Sequence, residues 1–297
     1  MATKVPANGA LLIDEVWAKE IQENRRNKLI AQNLVDFQYE SSLLNHGDTV
    51  HILAMPDFQA DTIVPGTPLT PVAPTETEQL LVVDQYAGKA VVVQDMLKVQ
   101  SLYELRNKYV EKISRAMAER IDSYIFGLYT QFDSANVMSP VSAITFNTLI
   151  DAHALLDRKN VPQTGRAIVV DSYGLADLRK VAEFTMYDKT GSAGLVKNGS
   201  DDVNPGFVGT IYGAPVYWTN AVPQAGGESK LLLIHNSAIA AVVQKKPEIE
   251  HDRDILLKAD IVSGSTLFGA KVVRPDHAVV IPRTVPATTT TTTTTTV

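Results

Sequence analysis

The stretch from Leu102 to Leu128 constrains the fold more than any other part of the sequence. Leu102, Leu105, Tyr109, Ile113, Met117, Ile121, Tyr124 and Leu128 recur every three or four residues. On a helix that spacing gathers them along one side. Arg106, Lys108, Glu111, Lys112, Arg115, Glu119 and Arg120 fill the other side, with no proline in the stretch and no glycine before Gly127. The pattern predicts a single amphipathic helix about 40 Å long at ~1.5 Å rise per residue. In a chain of 297 residues such a helix is a spine for the architecture. Its apolar stripe is wider than a heptad seam, which argues for a packed domain rather than a coiled coil. Its basic residues are interleaved with Glu104, Glu111 and Glu119, so ion pairs within the helix are a simpler reading than a nucleic-acid face.

Ahead of the spine, residues 1–8 read as an arm. Leu12, Val16, Ile21 and Leu29 suggest a helix over Asp14–Asn27, whose first acidic residues suit the positive helix end. Leu34–Tyr39 reads as extended, Gly47-Asp48 as a turn and Thr49–Leu53 as a strand. Pro65, Pro68, Pro71 and Pro74 follow at a constant spacing of three. That matches polyproline II, with about three residues per turn, and excludes a central strand. Leu80–Val83 and Ala90–Val93 read as short strands around a turn at Ala87-Gly88. Residues 46–94 therefore form a hairpin-like excursion with a proline-rich tip. An isolated hairpin is marginal in water, so this one is expected to lean on a neighbour.

Beyond Pro140 the texture is α/β. Phe146–Leu156 reads as a helix and Ala167–Val170 as a buried strand. Asp171 or Ser172 is placed to cap a helix ending near Ala182. Thr185–Pro205 is rich in Gly, Ser, Asp and Asn and reads as a surface loop. Phe207–Tyr212 and Pro215–Thr219 flank Gly213 as strands. Leu231–Ile234, Ala240–Val243, Leu256–Ile261, Phe268–Val273 and Ala278–Ile281 follow as further strands. Nine threonines, Thr288–Thr296, form a low-complexity tail, whose β-branched run suits addition to another chain's sheet edge.

Composition narrows the function. The apolar fraction of 45% and charged fraction of 20% are those of an ordinary globular chain. The net charge of -6 has the wrong sign for a free-standing DNA-binding module but is compatible with a wall beside packaged DNA. There is no cysteine, which removes disulfides, thiolate metal sites and cysteine nucleophiles. No apolar run approaches the roughly 18 residues of a membrane span, and Met1–Ile13 lacks a signal-peptide pattern. The expectation is a protein made and kept in a cytoplasm, or in something assembled there.

Candidate chemistry is sparse. Gly191-Ser192-Ala193-Gly194 lacks the Gly-Lys-Ser/Thr that completes a phosphate loop. The six histidines show no metal-ligand spacing; His46 and His51, with Asp48 between them, come nearest. Asp201-Asp202 lacks the alternating acids of a calcium loop. Asp171-Ser172 lacks the flanking glycines of a nucleophile elbow and reads as a helix cap. Lys245-Lys246 reads as a solvated strand end. No catalytic, cofactor-binding or metal-binding residue is assigned, and no cofactor.

Glu15-Val16-Trp17, then Leu34-Val35, Tyr39 and Gly47-Asp48-Thr49-Val50 resemble the opening of many tailed-bacteriophage major capsid proteins. Asp84-Gln85, Val91, Val93, Asp95 and Gln100-Ser101, followed by the long helix, resemble the centre of capsid proteins with the Hong Kong 97-type fold. The similarity is tightest over residues 14–128 and looser over 140–284. It implies an α+β capsid fold with an N-terminal arm and helix (1–45) and an extended β-hairpin loop (46–94). It further implies a peripheral domain with the spine helix (95–140 and 241–284), an α/β axial domain (141–240) and the threonine-rich tail (285–297). The implied function is a shell subunit that assembles with itself, as hexamers and pentamers, into an icosahedral head around double-stranded DNA. Scaffolding, portal and decoration or cement proteins are implied partners, with non-specific proximity to DNA and no membrane. The location implied is the virion, after assembly in the host bacterial cytoplasm. Three other readings stay open at this point. An encapsulin-like compartment would share the fold, a soluble α/β enzyme would use residues 140–240, and a tail component would form rings or tubes.

Overall fold

The computed structural model of the protein describes residues 30–40, 47–54, 75–94, 105–181 and 206–286, with the single positions 60, 62 and 73. The arm and helix expected before residue 28, His46, the proline-rich tip, the loop at 185–205 and the threonine tail lie outside the described residues.

Three sheets organise what is described. The first is an antiparallel pair, β1 (Thr49–Ala54) with β2 (Thr77–Val82), joined by the excursion. The second has three strands in the order β3-β10-β9, with β3 at Gln85–Gln94, β9 at Ile239–Asp254 and β10 at Ala259–Val272. The third has six strands. Its path is β11-β8-β4-β6-β5, with β7 (Gln224–Ala225) alongside β8. Here β4 is Arg166–Val170, β5 Phe207–Ile211, β6 Ala214–Trp218, β8 Glu228–His235 and β11 Ala278–Thr284. All five residues of β4 are buried, as suits a central strand with neighbours on both sides.

The spine helix α1 runs Leu105–Gly127 and ends in a 3-10 turn at Leu128–Gln131. Its buried stripe, Ile113, Met117, Ile121 and Ile125, lies along the side expected from the spacing. Ile113 and Met117 pack with Val262 of β10. Gly264 permits this close approach, since a Cβ there would lie 2.6 Å from Ile113 Cγ2 and 2.7 Å from Met117 Cε. Further along, Tyr124 meets Phe268 edge-on, with ring centroids 5.5 Å apart. Arg115 and Glu111 pair at 3.5 Å within the helix.

Two helices pack with the six-stranded sheet. Helix α2 (Phe146–Arg158) is capped by Thr145, which accepts from Thr148 N at 3.3 Å. Helix α3 (Ser172–Lys180) is capped by Asp171, which accepts from Gly174 N at 2.6 Å. Arg179 and Lys180 occupy its last turn, where the helix dipole favours cations.

Several local expectations are corrected. Leu34–Tyr39 is not a strand: a 3-10 turn at Ala31–Asn33 leads to a single parallel bridge between Asp36 and Ala240. Ala87-Gly88 is no turn but part of β3, where Gly88 pairs with Ser265 and a Cβ would lie 2.9 Å from Gly264 O. Val83-Asp84 instead separates β2 from β3, and β2 pairs with β1 rather than β3. Leu256 belongs to the tip of the β9–β10 hairpin, not to a strand. Lys245 lies inside β9, which continues past a register shift beside Pro247 to Asp254. A bulge is where a strand accommodates proline.

Candidate assembly surfaces

The β1–β2 pair has two unlike faces because successive strand residues point to opposite sides. On the inner face Ile52 and Leu81 are buried with Val83, Ala240 and Val242. On the outer face Leu53, Leu80 and Val82 are 58%, 46% and 41% exposed. His51 and Glu78 contact each other diagonally across the same outer face. The pair is therefore fastened to the body on one side and offers an apolar strip on the other.

The β9–β10 hairpin ends in a second such surface. Ile255, Leu256 and Leu257 are 70%, 94% and 57% exposed. Their backbone is held in place, not loose: Asp254 Oδ1 accepts from Leu256 N at 2.8 Å and Leu257 N at 3.1 Å. Lys258 takes a left-handed conformation with φ 47° to close the turn. Arg253 and Asp260 pair across the hairpin at 3.3 Å. Three aliphatic side chains fixed at a tip suit contact with another surface.

Buried polar groups elsewhere are spent on structure. Asp177 and Arg283 form a buried pair at 2.6 Å joining α3 to β11, and Ile144 N donates to the same carboxylate oxygen at 3.2 Å. Burial works to raise the Asp177 pKa; the Arg283 guanidinium, Ile144 N–H and Lys180 outweigh it and hold the carboxyl below its usual range. Asp122 of α1 accepts from Ile30 N at 3.0 Å and Ala31 N at 3.2 Å, tethering the chain that enters from the N-terminal side. Burial pushes Asp122 up from 3.8 to about 6, against the pull of those two N–H donors. Ile30 in turn sits against Gly206, where a Cβ would lie 2.4 Å from its Cδ1.

The residues weighed for chemistry fall apart as a site. Asp171 caps α3 and accepts from Ser229 Oγ at 2.6 Å, while Ser172 Oγ donates to Asn220 Oδ1 at 2.8 Å. They form a cap and a surface contact, not a nucleophile with its base. His153, Asp157 and Arg166 do converge, a grouping invisible in the sequence. Arg166 Nη2 donates to Asp157 Oδ1 at 2.6 Å and to Val161 O at 2.7 Å, so its charge is already matched. Burial and the Arg166 charge hold His153 below its ordinary pKa, and Tyr212 lies edge-on to its ring with centroids 5.7 Å apart. Among the described residues no group of three His, Cys, Asp or Glu is placed to hold a metal ion, and no described helix is long and apolar enough to cross a membrane.

A domain with apolar surfaces on projecting elements, and polar groups committed to holding those elements in place, is built for contact with other chains. The family comparison decides which kind. Residues 76–281 match the family model for phage capsid protein, well over half of the chain. The chain belongs to the phage capsid protein family. It is a major capsid structural subunit, part of the virion, and its fold is Hong Kong 97-type. A solved structure from Mycobacterium phage Che8 superposes with a TM-score of 0.75 at 26% identity, covering 91% of this chain and 96% of that one. The capsid structure of cyanophage P-SCSP1u gives 0.69 at 18% identity, covering 93% and 94%. The capsid of a native GTA particle gives 0.67 at 12% identity, covering 96% and 99%; these two show the shared fold. No curated protein sequence matches the chain. The family match favours the phage shell over the compartment, enzyme and tail readings, and the resemblance carried by Asp84-Gln85 and the spine helix falls inside the matched region.

Proposed function

We propose that this capsid subunit forms the icosahedral head of a tailed phage by associating with copies of itself as hexamers and pentamers around packaged double-stranded DNA. The observation that carries the reading is the pair of apolar surfaces on elements fastened to the body from behind, the outer face of β1–β2 and the tip of β9–β10. Each contact is modest, and a subunit held by several neighbours gains avidity. Net charge of -6 keeps the wall from adhering to the phosphate backbone. In this reading residues 1–45 are the arm, 46–94 the loop that reaches a neighbour, 95–140 with 241–284 the peripheral domain and 141–240 the axial domain. The strand at 278–284 is the exception: its pairing with β8 supports assigning it to the axial sheet rather than to the peripheral domain. Scaffolding, portal and decoration proteins are the expected partners, and assembly takes place in the host cytoplasm. We assign no catalytic residue and no cofactor.

Deletion of Thr62 to Glu76 tests the reading. The shortened chain should remain soluble and folded by circular dichroism yet fail to form stable shells, because the reaching loop is lost while the core is untouched. Shells as abundant and as stable as those of the full chain would refute it.

A further inference from the structure

His235 and His277 are 8% and 9% exposed, with ring centroids 5.5 Å apart. Between them stands Ser237, whose Oγ lies 2.7 Å from His235 Nδ1 and 2.8 Å from His277 Nδ1. The place of this cluster is specific. The chain leaves the six-stranded sheet at the end of β8, His235, and enters the three-stranded sheet at Ile239. It leaves the three-stranded sheet at Val272 and re-enters the six-stranded sheet at Ala278. The two crossovers lie side by side: Val273 N and Arg274 N both donate to Ala238 O, at 2.9 and 3.2 Å. The histidine–serine–histidine bridge thus ties one crossover to the other.

The hydrogen bonds fix which nitrogens carry protons. His235 Nε2 is 3.0 Å from the carbonyl oxygen of Thr164, so Nε2 donates. In a neutral ring Nδ1 is then the acceptor, and it receives Ser237 N–H at 3.2 Å as well as the Ser237 hydroxyl proton. With that proton committed, His277 Nδ1 must donate to Ser237 Oγ. A second proton on His235 would have to sit on Nδ1. There it would displace both donors of Ser237, leaving a buried N–H without an acceptor. The neutral state of His235 is therefore built into the joint.

We propose that His235, Ser237 and His277 form an acid-released latch across the two crossovers, which sets how firmly the six-stranded and three-stranded sheets are held to one another. The charged groups around it favour the neutral rings. Burial, then Arg166 at the start of β4 and Arg274 on the second crossover, oppose a proton on His235; the Thr164 carbonyl favours one. Burial, Arg274 and His235 oppose a proton on His277, and Asp276 favours one. Both rings are held below the ordinary value of 6.5. A ring that binds its proton more weakly when latched than when free gives a latch that is full at neutral pH. It weakens as pH falls below that ordinary value.

The test is hydrogen exchange with mass spectrometry on the full-length chain at about pH 7.5 and about pH 5, corrected for intrinsic exchange. Peptides spanning 236–239 and 272–278 should lose protection severalfold at the lower pH, while peptides from β4 keep theirs. The double variant H235N/H277N keeps an acceptor for Ser237 N–H and a donor to Ser237 Oγ without a titrating ring, so its protection at these peptides should not change with pH. S237A, which removes the bridge alone, should show low protection at both values. Unchanged protection in the natural chain overturns the proposal, and so does an equal acid loss in H235N/H277N. If that double variant fails to fold, the natural chain and S237A still decide the matter: acid must remove what S237A removes, and nothing further.

Discussion

Gly264→Ala tests whether the spine helix is seated as closely as the geometry demands. The added Cβ would lie 2.6 Å from Ile113 Cγ2 and 2.7 Å from Met117 Cε, with the sulfur at 3.1 Å. Met117 can swing its flexible end aside, but Ile113 is β-branched and held to one rotamer in a helix. The helix or the strand must therefore move. Overpacking of this kind costs about 1–3 kcal/mol, and Ile113→Ala alone, which empties a fully packed position, about 2–5 kcal/mol. Together they should cost less than their sum by about 1 kcal/mol or more, because removing Ile113 Cγ2 makes room for the new methyl. Urea unfolding of the unassembled full-length chain gives all three values as midpoint shifts at constant slope. A stabilising Gly264→Ala would show that strand propensity, not contact with α1, governs the position. Additivity within about 0.5 kcal/mol would refute the steric argument.

Asp177→Ala leaves Arg283 buried without its partner and should destabilise by about 3–5 kcal/mol, whereas replacing both by leucine and methionine should be near neutral in the same unfolding assay. Asp122 is raised from 3.8 to about 6, so its contribution to stability is greatest below 3.8 and is lost as pH rises through about 6. Asp122→Asn removes that titration, and its denaturation midpoint should vary less with pH than that of the natural chain across this window; parallel profiles would argue against a buried ionisable carboxyl. Leu53→Ser with Leu80→Ser and Val82→Ser removes roughly half-buried aliphatic surface worth about 2–4 kcal/mol to an assembly contact. It should leave the thermal midpoint of the free subunit near its natural value while raising the concentration needed for shell formation, as followed by light scattering.

How far the sequence revealed this architecture varied with the physics of each element. The spine was legible because its period of 3.6 is unbroken over many turns, and β4 because a strand buried on both faces is simply apolar. The cap at Asp171 was legible because capping is local chemistry. The β9–β10 hairpin was not. Beyond Val243 its outward residues Glu248, Glu250, Asp252 and Asp254 alternate in an acidic row, and Pro247 punctuates them, so the segment carries the signals of a loop. What makes it a strand is 14 residues of β10 beside it, a non-local pairing. Gly88 misled for a related reason: glycine marks a turn in a sequence, but here it admits the backbone of Gly264. Leu256 and Leu257 of the apolar tip fall inside the strand predicted over 256–261, since composition cannot tell a buried aliphatic run from one presented to a partner. The His235–Ser237–His277 bridge joins positions 40 apart, and no spacing rule marks it.

As a wall subunit, this chain should close its projecting apolar surfaces on copies of itself. Electron microscopy after size-exclusion chromatography tests it most directly, on the full-length protein expressed alone and together with its neighbouring genes. Closed, roughly spherical particles tens of nanometres across, from either expression, are the expected result. A monodisperse monomer under both conditions, or open rings and tubes in place of closed shells, would contradict it.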